Sequence, residues 1–183
     1  MHESLKKSKP IFCGIDLAAR EHNPTGVICA DWNGKSLEEG LLFDNDNIHK
    51  FIQRNKPTII AIDAPLSLPA SGNTREEDRK LLKMGFGLFP FFQSMRELAA
   101  RGIALAEIYD ERITIIEVCP SVSAKILGIQ REKNKVRRHL EDAKIAARTA
   151  MMFYEGSCEL VGGRFYVPRI TEDGKANESI KII

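Results

Sequence analysis

Thr58-Ile-Ile-Ala-Ile-Asp63-Ala-Pro-Leu-Ser-Leu-Pro69 is the stretch that decides how this chain is read. Its apolar residues do not alternate with polar ones, as expected of a central strand buried on both faces of a sheet. The run ends on a carboxylate, and Ala64-Pro65 bounds it. An ionised acid in such a setting is costly unless it is paired or coordinates a cation. Upstream, Ile11-Phe-Cys-Gly-Ile-Asp16-Leu17 repeats the arrangement, again with Ile-Asp near the strand end. If the two strands are parallel neighbours, Asp16 and Asp63 converge at the C-terminal edge of the sheet, where α/β folds place ligand sites. A lone aspartate there is better explained as a turn cap or an arginine partner. Two matching strand ends favour function.

The remaining chain supplies the elements around this pair. Val27-Ile-Cys-Ala30 and a run around Leu41-Leu-Phe43, with the tight-turn signal Asn33-Gly34 between them, predict an antiparallel meander of three strands with the first run. Asp44 to Asn47 offers N-caps for a helix bearing Ile48, Phe51 and Ile52, which Lys56-Pro57 stops. Residues 66–90 are rich in Gly, Pro and charge. A short helix is expected there from Thr74 to Met84, with Thr74 and Glu77 at capping-box spacing. A longer one follows from about Phe92 to Asp110, with Gly102 as a weak point. Ile113-Thr-Ile-Ile-Glu117-Val-Cys119 is another strand, ended by Pro120. Ser121 or Ser123 then caps a short helix that Gly128 closes. A basic segment, Gln130 to Arg138, precedes a helix from about His139 to Tyr154. Phe165-Tyr-Val167 is a last strand, and Ile170 onward reads as a charged tail.

The totals fit one α/β domain over residues 1–183, with a mainly helical insertion at about 66–111 and flexible termini. Hydrophobic residues make up 43% and charged residues 28%, ordinary for a soluble globular chain, and the net charge of +2 selects no partner by itself. No stretch is long and apolar enough to span a membrane, and Met1 to Pro10 lacks a signal-peptide core, so a cytoplasmic protein is expected. Cys13, Cys29, Cys119 and Cys158 form no Cys-x-x-Cys pair, and no histidine stands at zinc-ligand spacing. Buried thiols are the expected state, and no P-loop motif occurs.

A third acid is available on the last helix. In His139-Leu-Glu-Asp142-Ala, a helical wheel puts Leu140, Ala143, Ala146 and Ala147 on one apolar face. Asp142 falls at the edge of that face and Glu141 opposite it, beside Lys144 and Arg148. Asp142 is therefore the inward-pointing acid and Glu141 a surface partner. Carboxylates drawn from separate elements, without Cys or His ligands, suit Mg²⁺ or Mn²⁺. Two such ions about 4 Å apart can support phosphodiester hydrolysis.

Gly14-Ile-Asp16-Leu-Ala-Ala, Ala61-Ile-Asp63-Ala-Pro-Leu-Ser-Leu-Pro69 and Ile116-Glu117-Val-Cys-Pro120 together resemble domain of unknown function family 429. Arg75-x-x-Asp78-Arg79, Phe89-Pro90 and Met95-Arg96 extend the likeness across roughly residues 11–168. That family is described as predicted nucleases with an RNase H-like fold. The resemblance implies a mixed central sheet, the antiparallel meander plus parallel strands, flanked by helices. It also implies an acidic metal site of the RNase H and Holliday-junction-resolvase type. The positions matching that site are Asp16, Asp63 and Asp142. Glu117 lies in a family motif and is a secondary catalytic candidate.

The expected partner is a nucleic acid, with DNA and RNA not distinguished and a homo-oligomer left open. Arg75, Arg79 and Arg96 in the insertion, and Arg137 and Arg138 beside the Asp142 helix, are candidates for phosphate contacts. Phe89, Phe91 and Phe92 can stack on bases, although core packing is the commoner use of such residues. Two other functions compete. A non-catalytic binding module could keep the fold. A phosphotransferase or ATPase on the same fold is disfavoured, because Leu-Ala-Ala-Arg follows Asp16 where a Gly-Thr phosphate loop would be needed.

Overall fold

In a computed structural model, residues 9–109 and 113–169 are described. Twelve elements follow one another: β1 (Phe12–Asp16), β2 (Thr25–Ala30), β3 (Ser36–Leu42), α1 (Asn45–Asn55), β4 (Ile59–Ile62), α2 (Glu76–Lys83), α3 (Gln93–Tyr109), β5 (Thr114–Glu117), α4 (Pro120–Leu127), α5 (Lys135–Tyr154), β6 (Cys158–Gly162) and β7 (Phe165–Pro168). Seven strands form one sheet in the order β3-β2-β1-β4-β5-β7-β6. β1, β2 and β3 make the expected antiparallel meander, and β4 and β5 continue from β1 in parallel. This is the RNase H-like arrangement. β7 joins β5 in parallel and pairs with β6 as an antiparallel hairpin at the far edge.

Both sheet faces are covered, which explains why β1 and β4 read as unbroken apolar runs. Cys13, Ile15, Ile60 and Ile62 pack towards α1 and α3 with Ile48, Phe51, Leu105 and Tyr109. Phe12, Ala61 and Ile116 pack on the other face against Ala146, Ala150 and Met152 of α5. α5 sits unusually close to β1 and β2. A Cβ added to Gly14 would stand 2.0 Å from the Ala143 carbonyl oxygen, and one added to Gly26 would stand 2.0 Å from that of His139. Only glycine allows this approach.

Several local expectations change. Thr74 and Glu77 do not cap α2. Arg75 is the N-cap, with Asp78 closing the box, and the Glu77 side chain instead accepts from Ser67 at 2.9 Å. Gly102 does not interrupt α3; it is buried against Ala64 and Pro65, where a larger residue would crowd. α4 begins at Pro120 with Cys119 as N-cap, so neither serine caps it. Pro fits the first helical turn, where its missing N–H costs nothing. α5 starts at Lys135, capped by Asn134, so the second half of the basic segment is its first turn. β6 is a strand that the sequence reading did not anticipate. Its exposed Glu159 and Leu160 break the expected alternation. The N-terminal tail before Lys9 and the charged tail from Ile170 lie outside the described residues. Among those described, no helix is long and apolar enough to cross a membrane.

Candidate functional site

Asp16 closes β1, and Asp63 follows β4 directly. Ile15 and Ile62 are register partners, and the Asp63 N–H donates to the Ile15 carbonyl at 2.8 Å. The ladder therefore sets Asp16 and Asp63 side by side on the α5 face, their backbones one strand spacing apart, about 4.8 Å. The Asp63 carboxylate is half-buried and makes no hydrogen bond or ion pair with the described residues. Burial, and then repulsion from Asp16 and Asp142, hold it well above the ordinary carboxylate range. Burial also raises Asp16, although His139 opposes this.

α5 delivers two side chains to the pair. His139 Nδ1 lies 2.6 Å from Asp16 Oδ2. Asp142, one helical turn on, is buried, and Arg131 grips it in two-pronged fashion, Nε to Oδ1 at 2.9 Å and Nη2 to Oδ2. Glu141 turns away and pairs with Lys144. His139 was not singled out in the sequence, and Arg131, legible there only as one of the basic residues that could contact phosphate, instead pairs with Asp142. The His139–Asp142 spacing of three on one helix face was the available signal. Arg131 lies in the 128–134 connection, where no periodicity marks a direction.

Glu117 is not brought to this pair. It is the register partner of Ile62, one residue short of the Asp63 level, and therefore points to the α1 and α3 face. There it accepts from the Leu66 N–H at 2.8 Å and from Arg75 at 2.6 and 2.8 Å. Arg75, expected to meet substrate phosphate, is 5% exposed and also bonds Asp78. Burial pulls its pKa down, but Glu117 and Asp78 outweigh this and raise it. Its guanidinium stacks on buried Phe91, 5.1 Å from the ring centre. Arg75 thus fastens the loop before α2 to the end of β5.

The other arginines differ in their freedom. Arg96 donates to the Gly72 carbonyl at 2.9 Å and to Asn73, holding that turn. Arg79 is exposed on α2. Arg138 donates to the Glu132 and Lys133 carbonyls, which fixes the start of α5, and Arg137 is exposed beside it.

A cavity of about 460 Å³ opens over the strand ends, with Asp16, Asp63, Arg131 and Arg138 on its polar wall, Leu88, Phe89 and Met95 on its apolar one, and the paired Arg75 and Glu117 also reaching its lining. Phe89 is 82% and Phe92 63% exposed, so of the three phenylalanines only Phe91 serves the core.

Among the described residues no three His, Cys, Asp or Glu side chains stand together in metal-holding geometry. The Asp16–Asp63 pair does fit a hard ion, because Mg²⁺ is commonly held by one or two carboxylates with water completing its shell. Asp63 is an unpartnered acid whose repulsion a cation would relieve.

No family model and no curated protein matches the chain. The resemblance to domain of unknown function family 429 therefore rests on the motifs alone. Among solved structures, Thermus thermophilus RuvC in complex with a Holliday junction substrate aligns over 80% of this chain and 96% of its own, at 11% identity and a TM-score of 0.48. A second structure of Thermus thermophilus RuvC aligns over the same shares, at 12% identity and a TM-score of 0.45.

Proposed function

We propose that this chain is a metal-dependent nuclease of the domain of unknown function family 429 type, acting at Asp16, Asp63 and Asp142. The observation that carries the reading is the Asp16–Asp63 juxtaposition, with Asp63 unpartnered and held above its ordinary pKa at the mouth of a cavity. Acids so placed are disfavoured as mere structure, since each destabilises the ionised form of the other. Mg²⁺ or Mn²⁺ held by Asp16 and Asp63, with Asp142 as third ligand, would polarise a phosphodiester and its attacking water. His139 holds Asp16 in orientation. Exposed Arg137 at the first turn of α5 is the proposed phosphate contact, with Arg138, which also ties down the Glu132 and Lys133 carbonyls, beside it on the cavity wall, and Phe89 offers a face to a base. The substrate class is nucleic acid, DNA or RNA.

The test is a panel of duplex DNA, RNA and branched DNA with Mn²⁺, comparing the natural chain with Asp16→Asn. Cleavage of at least one substrate, lost in the variant, is expected. Equal cleavage by both would place the activity elsewhere.

One observation favours a second reading, a binding module without catalysis: Arg131 and His139 already satisfy Asp142 and Asp16. Such a module has no need of a cation at this site. Mn²⁺ binding that Asp16→Asn abolishes separates the two.

A further inference from the structure

We infer that Arg131 is a built-in competitor of the divalent cation: its guanidinium withholds Asp142 from the Asp16–Asp63 pair and so sets the site's metal affinity. This rests on the metal-site reading above. The contact uses both carboxylate oxygens of Asp142, one for Nε and one for Nη2. A cation needs at least one of those oxygens, so guanidinium and metal cannot share Asp142 fully.

The two partners differ in their freedom. Asp142 sits inside α5, with its side chain 6% exposed, and that helix is pressed onto Gly14 and Gly26. It has no room to turn away. Arg131 belongs to the connection between α4 and α5, which is neither helix nor strand, and its side chain is 33% exposed on the cavity wall. Neighbouring anchors do not depend on it: Asn134 caps α5 through Val136 and Arg137, and Arg138 ties down the Glu132 carbonyl. Swinging Arg131 outward therefore breaks two hydrogen bonds and unpacks no element. Its positive charge also reaches Asp63 and Asp16, the acids a metal would neutralise. Arg131 thus occupies the electrostatic position of a cation while leaving the strand pair open.

The experiment is a Mn²⁺ titration of the full chain, read by the electron paramagnetic resonance signal of free Mn²⁺, for the natural chain, Arg131→Gln, Arg131→Lys, Arg131→Gln/Asp142→Asn and Asp16→Asn. Partners of metal ligands commonly move affinity by about 10–100-fold. Arg131→Gln should tighten Mn²⁺ binding by about tenfold or more, and adding Asp142→Asn should cancel the gain. Arg131→Lys keeps a charge beside buried Asp142, which guards against unfolding, but loses the two-pronged geometry, so its affinity should fall between. Arg131→Gln and Arg131→Lys binding Mn²⁺ no more tightly than the natural chain would overturn the inference while leaving the metal site standing. Binding unaffected by Asp16→Asn, or undetectable in every protein, overturns the metal site and this inference with it.

Discussion

Gly14 of β1 lies directly beneath Ala143 of α5. A Cβ at Gly14 would stand 2.0 Å from the Ala143 carbonyl oxygen and 2.5 Å from the Ala147 nitrogen. Both obstacles are backbone atoms, so no side chain can step aside. Gly14→Ala must push α5 off the sheet, carrying His139 and Asp142 away from Asp16. Overpacking of this kind typically costs about 1–3 kcal/mol, and about 2–4 °C of Tm is lost per kcal/mol in a domain of this size. The expected outcome is a Tm several degrees lower, with weakened Mn²⁺ binding. Gly40→Ala on β3 is the control, because nothing lies within 4 Å of a Cβ there. Its Tm should change by a degree or two at most.

That close approach is also where the sequence stops being legible. The strand order and the Asp16–Asp63 pairing could be read from two apolar runs that both end Ile-Asp. Asp142 could be read from its place on the helical wheel, and it does point inward. The depth at which α5 sits could not, because Gly14 and Gly26 look like ordinary strand glycines until a helix is laid over them. Glu117 fails for a different reason. A strand's side chains alternate, and a shift of one residue in register moves an acid to the other face. The apolar run Ile113 to Cys119 carries no mark of its register against β4. Arg75 was legible as a motif residue, but whether an arginine meets substrate or an internal acid depends on contacts 42 residues away.

Asp63→Asn should stabilise the protein at neutral pH. The folded-state pKa of Asp63 is raised, by burial first and by Asp16 and Asp142 next. The folded state therefore binds more protons than the unfolded one between the ordinary carboxylate value, about 3.9, and the raised value. Stability from this group is full below that window and is lost as pH rises through the folded pKa. Asparagine removes the ionisation and with it the loss. The expected result is a higher Tm at pH 7 than the natural chain's, with the difference vanishing towards pH 3. Thermal melts across this range check it. A natural-chain advantage at pH 7 would mean that Asp63 is compensated by a partner.

Arg137 and Arg79 make a matched pair for testing the nucleic-acid surface. Both are exposed, but only Arg137 stands at the first turn of α5, next to Arg138, which lines the cavity. Removing a phosphate-contacting arginine weakens binding across sequences and reduces the salt slope by about 1. Arg137→Ala should do this in fluorescence anisotropy with a DNA or RNA duplex at several salt concentrations. Arg79→Ala should leave both affinity and slope unchanged. The same loss from both variants would point to diffuse charge attraction over the surface.

Arg75 and Glu117 form the load on the opposite face. The Arg75 side chain is 4% exposed and the Glu117 side chain 5%, and Asp78 and Glu77 complete the cluster. Truncating one partner of a buried pair strands the other, at about 3–5 kcal/mol. Arg75→Ala leaves Glu117 and Asp78 both uncompensated, so it should be worse than Glu117→Gln, which keeps an acceptor for the Leu66 N–H. The double variant should be less destabilised than the sum, with a coupling of about 0.5–3 kcal/mol by urea denaturation. Below its melting temperature, Glu117→Gln should bind Mn²⁺ as the natural chain does, because the Glu117 oxygens are taken up by Arg75 and the Leu66 N–H although they line the same cavity as Asp16 and Asp63. A Glu117→Gln variant that keeps its stability but loses Mn²⁺ would instead move Glu117 into the metal site, reversing the assignment that register makes.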